Sequence, residues 1–131
     1  MVKWSSIAVM ALCIIHMLVL GADIPSESGK WLGLNMWTFD HWAPLRAQPF
    51  DLALSGGVFW ATLGSFAAPM FVLGALLLWL DRRGLPIPAF VGWALFAWMA
   101  LLTAIMPPSG FPVGLIVVLA LAIGLQRKAR A

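Results

Sequence analysis

The sequence predicts an all-α integral membrane protein, a bundle of four transmembrane helices with both termini inside and a Trp-rich outer loop. Three observations predict it. Of the 131 residues, 63% are hydrophobic and only 10% charged, with a mean hydropathy of +0.97, so the bilayer is the solvent of the chain. The apolar residues gather in four segments, at about residues 4–21, 52–80, 86–106 and 111–125. The basic residues cluster beside the ends of those segments. A chain of this length makes one domain, so residues 1–131 are expected to form a single transmembrane unit.

The first segment is long enough to cross a hydrocarbon core of ~30 Å, which takes about 20 helical residues. It carries His16, which has almost no other ionisable group inside the apolar segments for company. An ionisable side chain at that depth is costly and marks a functional site by default. Lys3, the apolar run and Leu20-Gly21-Ala22 before Asp23 also resemble a cleavable leader. Retention is expected, because an intramembrane histidine has no purpose in a disposable peptide.

Residues 22–51 form the longest stretch that is not apolar, and they hold Trp31, Trp37 and Trp42. An indole has an apolar ring and an N–H that wants a wet partner, so such a density belongs at a membrane–water interface. Ser28 is placed to cap a short in-plane helix starting at Gly29, with Pro44 and Pro49 ending it, and an irregular interfacial loop is the alternative. Asp51 is then the N-cap of the second segment.

That second segment has 29 residues, or ~43 Å at 1.5 Å per residue. It must tilt, project beyond the bilayer or bend at Pro69, where a helix loses a backbone hydrogen bond. Gly57, Ala61 and Ser65 recur along it at every fourth position, a small-residue stripe that lets another helix approach closely. Gly92, Ala100 and Ala104 make a weaker stripe on the third segment. Met106-Pro107-Pro108-Ser109-Gly110-Phe111-Pro112 then forbids continuous helix and forces a tight reversal. The fourth segment, 15 residues or about 22 Å, is short for a span.

Orientation follows from the positive-inside rule. With four spans and the N-terminus inside, Lys3, Arg82, Arg83, Arg127, Lys128 and Arg130 are cytoplasmic, leaving Lys30 and Arg46 outside. This placement also accounts for the net charge of +3. The basic residues read topology and touch anionic headgroups, and nucleic acid is not an expected partner. Cys13 is alone in its chain, so no intrachain disulfide forms.

Trp4-Ser5, His16, Phe59-Trp60, Leu85-Pro86, Gly92-Trp93 and above all Met106-Pro107-Pro108-Ser109-Gly110-Phe111 together resemble a family of small bacterial four-helix membrane proteins, a domain of unknown function. Cys13 stands where the family has glycine, and Pro112 where it has tryptophan. The resemblance implies the fold and a place in the inner membrane, and it carries no activity over to this chain.

The chemical inventory limits the functions. Bis-histidine haem needs two histidines on facing helices, and His41 lies in the loop. Zinc wants three or four His, Cys or carboxylate ligands, and no such set exists, so neither metal nor cofactor is expected. No intramembrane carboxylate is present to drive proton-coupled transport. Three readings stand. The first is a structural or accessory protein that meets a second copy or another membrane protein in the lipid bilayer. The second is an isomerase- or cyclase-type enzyme on a lipophilic small molecule, with His16 as catalytic acid or base. There Trp60, Thr103, Ser109, Trp42 and His41 would line the substrate pocket. The third is a small-molecule transporter or binder. In the first reading, His16 is a neutral side chain hydrogen-bonded to a backbone carbonyl or a hydroxyl of another helix.

Overall fold

A computed structural model of the chain describes residues 1–130. Among these residues the structure is all-α, without a strand. Six α-helices, α1 (Val2–Leu20), α2 (Ile24–Leu32), α3 (Phe50–Ala61), α4 (Ala67–Arg82), α5 (Ala89–Ile105) and α6 (Phe111–Lys128), are joined in part by short 3-10 turns. Two helical runs, Val2–Leu32 and Phe111–Lys128, are long and apolar enough to cross a membrane, while α3 and α5 are shorter apolar helices.

Contacts divide the chain into two compact units, one made of Met1–Cys13 with Pro69 onward and the other of Ile14–Ala68. In the first unit, side chains of α1, α4, α5 and α6 meet in two buried clusters. Val2, Leu77, Leu121 and Leu125 form one, and Val9, Met70 and Val118 the other. Glycines set how closely these helices approach. A Cβ on Gly92 would lie 2.6 Å from Ala122 Cα, and one on Gly74 would lie 2.9 Å from Met10 Cγ and 3.2 Å from the Ser6 carbonyl. Gly114 faces Met99, and Trp93 donates its indole N–H to Gln126 Oε1 at 3.2 Å. Residue 92 against 122 and residue 99 against 114 is an antiparallel register. The proline-rich turn is thus the reversal its composition predicts. Ser109 holds it, its hydroxyl donating to the Met106 carbonyl at 2.6 Å and accepting from the Phe111 N–H at 3.2 Å.

The helix ends depart from expectation in five places. The expected 29-residue second span is broken between Ala61 and Ala67. Pro69 does not bend a helix; it sits in the first turn of α4, where its missing N–H costs nothing. The helix expected to start at Gly29 is α2, which begins five residues earlier, with Pro25 in its first turn. Ser28 is inside it and donates to the Pro25 carbonyl at 3.2 Å. That helix ends well before Pro44, at Gly33 and Leu34. Leu34 takes φ 62°, and the Asn35 and Leu34 N–H groups return to the Lys30 and Trp31 carbonyls, the Schellman arrangement with leucine in the glycine position. Asp51 is not a cap: Pro49 precedes the helix and Asp51 lies in its first turn, where an anion suits the helix dipole. Finally, α6 has 18 residues, about 27 Å. It runs three residues beyond the apolar segment because Gln126, Arg127 and Lys128 can continue a helix with their heads in water.

Candidate functional site

The second unit contains His16 and most of the other polar residues singled out by sequence. Its local chemistry starts at the break between α3 and α4. Thr62 leaves the helical region at φ −121° and ψ −99°, and the last carbonyls of α3 lose their intrahelical donors. Each of three carbonyls is given another donor. Thr62 Oγ1 donates to the Val58 carbonyl at 2.6 Å, and the Gly64 and Thr62 N–H groups donate to Phe59 at 2.8 and 3.1 Å. The third partner comes from another helix: His16 Nε2 lies 3.0 Å from the Ala61 carbonyl oxygen. A carbonyl can only accept, so Nε2 carries the hydrogen and the imidazole is oriented as a donor. On the far side of the break, Ser65 Oγ accepts the Ala67 N–H at 3.2 Å and starts α4. Glycine is required at position 64, because a Cβ there would stand 2.7 Å from the Phe59 ring and 2.8 Å from the Trp60 ring.

The small-residue stripe is divided by this break. Gly57 and Ala61 stay on α3, both exposed, and a Cβ on Gly57 would meet nothing within 4 Å. Ser65 lies in the connection and caps α4 instead of lining a helix face.

Sequence reasoning missed a second polar cluster. Glu27 on α2 is 6% exposed and pairs with Lys30 Nζ at 2.9 Å. Trp31 Nε1 donates to Ser55 Oγ of α3 at 2.9 Å. The Lys30 ammonium and the Ser55 hydroxyl hold the Glu27 carboxyl below the ordinary carboxylate range. Its Oε2 remains buried without a hydrogen-bond partner. The Glu27/Lys30 spacing of three was visible as a helical ion pair. Only the folded chain brings Ser55 to it.

The loop after α2 is held together by side-chain bonds to its own backbone. His41 Nε2 donates to the Met36 carbonyl at 2.8 Å. Thr38 Oγ1 accepts the Asp40 N–H, and the Gln48 amide donates to the His41 and Ala43 carbonyls. Its apolar side chains turn outward: Trp37 is 82% exposed, Phe39 88%, Trp42 86% and Phe50 78%. Beside them lies a cavity of about 330 Å³ whose wall joins the apolar Met36, Pro49 and Leu52 to Lys30, Asn35, Thr38, Asp40, Asp51 and Ser55.

Of the expected pocket residues, His41 and Trp42 belong to this loop and Trp60 to the end of α3. Trp60 is exposed and packs edge-on against Phe59, with ring centroids 5.3 Å apart. None of these three lines the cavity. Thr103 and Ser109 belong to the other unit. Thr103 Oγ1 is buried without a partner, and Ser109 serves the turn. Among the described residues no group of His, Cys and carboxylates is arranged to hold a metal ion. No protein-family model, curated protein or solved structure matches this chain.

Proposed function

We propose that this chain is a multi-pass protein of the cell (inner) membrane that acts as a structural or accessory component. In this reading it crosses the bilayer four times with both termini inside. The resemblance to the small bacterial four-helix family belongs to the same proposal and rests on the Met106–Phe111 turn. Two helical runs of spanning length support the membrane assignment. So do the outward aromatics of the loop, a surface that water would penalise and an interface would attract.

The observation that carries the accessory role is the use made of His16. Non-helical backbone at membrane depth survives only where protein or a wet cavity satisfies it. The His16 Nε2 hydrogen does that for Ala61. The Nε2 hydrogen is committed to Ala61, which leaves only Nδ1 for any exchange of protons with a substrate. The α3 face with Gly57 and Ala61 stays open for a neighbouring helix.

Complementation tests the reading. A deletion strain should be restored in full by His16→Gln, whose amide donates a hydrogen bond but cannot titrate near neutral pH. A folded His16→Gln protein that fails to complement would overturn it in favour of proton transfer.

A further inference from the structure

The cavity beside the outward aromatics has a charge pattern that selects its occupant. Lys30, with its side chain 40% exposed, is the one cationic group in the wall, and its charge is balanced by Glu27 at 2.9 Å. Asp40 and Asp51 also line the wall, and among the described residues neither has an ion-pair partner. Two carboxylates are therefore left over, on a wall that also offers the Asn35 amide and the Thr38 and Ser55 hydroxyls. The volume, about 330 Å³, is that of a small organic group rather than a bare metal ion. A group with hydrogen-bond donors and positive charge fits the surplus acceptors.

The neighbours in sequence say where such a molecule comes from. Trp37 and Phe39 flank Thr38, Phe39 also precedes Asp40, and Phe50 precedes Asp51. Each of these aromatics is at least 78% exposed. Thr38, Asp40 and Asp51 thus line the cavity while Trp37, Phe39 and Phe50 beside them in sequence are exposed. A ligand with a charged head and apolar tails meets both sets at once.

We propose that this cavity binds the headgroup of a zwitterionic aminophospholipid, its primary ammonium on Asp40 and Asp51, with the acyl chains against Trp37, Phe39 and Phe50. The proposal rests on the membrane reading above and adds a specific lipid to it. Phosphatidylglycerol lacks the ammonium and brings net negative charge toward two carboxylates. Choline lipids carry the charge but no N–H to donate.

The test uses the full-length protein purified in detergent. Native mass spectrometry counts retained lipid after addition of phosphatidylethanolamine, phosphatidylcholine or phosphatidylglycerol. Wild type should retain one phosphatidylethanolamine at least about tenfold more tightly than either other lipid, a difference of about 1.4 kcal/mol. The double variant Asp40→Asn/Asp51→Asn should lose that preference. Both positions are exposed, and circular dichroism checks that the helices persist. Equal retention of the three lipids by wild type overturns the proposal whatever the variant does, as does an unchanged preference in a folded variant. Displacement by free ethanolamine at equal concentration also overturns it, by assigning the cavity to a soluble amine. Cysteine labelling reads the threading separately, so a failure of the lipid site and a failure of the membrane reading are distinguishable.

Discussion

His16 and the glycines show how one residue's meaning depends on what stands opposite it. An apolar helix that carries a histidine must give it a hydrogen-bond partner, and here the partner is the carbonyl orphaned by the end of α3. Replacing His16 by leucine removes that donor and leaves Ala61 unsatisfied. His16→Leu should cost about 0.6–2 kcal/mol of stability, and His16→Gln less, as read from thermal unfolding in detergent. The glycines separate in the same way. Gly92→Ala places a methyl group against the Ala122 backbone, which cannot rotate away, and should destabilise by about 1–3 kcal/mol. Gly57→Ala enters open space and should be neutral or stabilising by up to about 1 kcal/mol, because alanine lowers the entropy cost of the helix. Parallel thermal melts compare the two. Equal losses would mean that the α3 face is covered by something beyond this chain.

Among the elements, the proline-rich turn and the α2–α3 contact carry opposite kinds of information. Pro107, Pro108 and Gly110 make the reversal between α5 and α6 because no helix can run through them. Pro86 and Pro88 precede α5, Pro88 as its N-cap, where proline is tolerated. Pro107→Ala/Pro108→Ala should therefore lower folded yield more than Pro86→Ala/Pro88→Ala, measured by size-exclusion recovery. Similar yields would mean that Ser109 alone holds the turn. The α2–α3 contact depends on charge. Hydrogen bonds from Lys30 and Ser55 depress the Glu27 pKa in the folded chain. The contribution is fully present above the unfolded carboxylate value near 4.3 and is lost as pH falls through the lower folded value. The emission of Trp31, which is bonded to Ser55, should shift on acidification below about pH 4, and that shift should be absent in Glu27→Gln. Persistence of the shift in that variant would assign it to another carboxylate.

At the scale of the whole molecule, the proposed reading turns on threading, whose expected direction comes from the Lys/Arg asymmetry. Single cysteines at Ser28, Gly84 and Ala129 in a Cys13→Ser background should react differently with an impermeant reagent. Ser28→Cys should label from outside the cell, and Gly84→Cys and Ala129→Cys only after permeabilisation. Labelling of Gly84→Cys from outside would reverse the model of four spans. Composition and periodic apolarity determined by themselves that the chain is helical and apolar enough for a membrane. They also determined where it must turn, because proline and glycine act on their own backbone. The exact helix ends at Ala61 and Leu34 were decided elsewhere. A broken helix at Thr62 is affordable only when His16, 45 residues away in sequence, supplies the missing donor, and no local propensity records that. The cavity, and the cluster of Glu27, Lys30, Trp31 and Ser55, likewise join α2 and the loop to α3. Such long-range hydrogen bonds and steric fits exist only once the chain has folded, so tertiary structure alone decided which polar residues share a site.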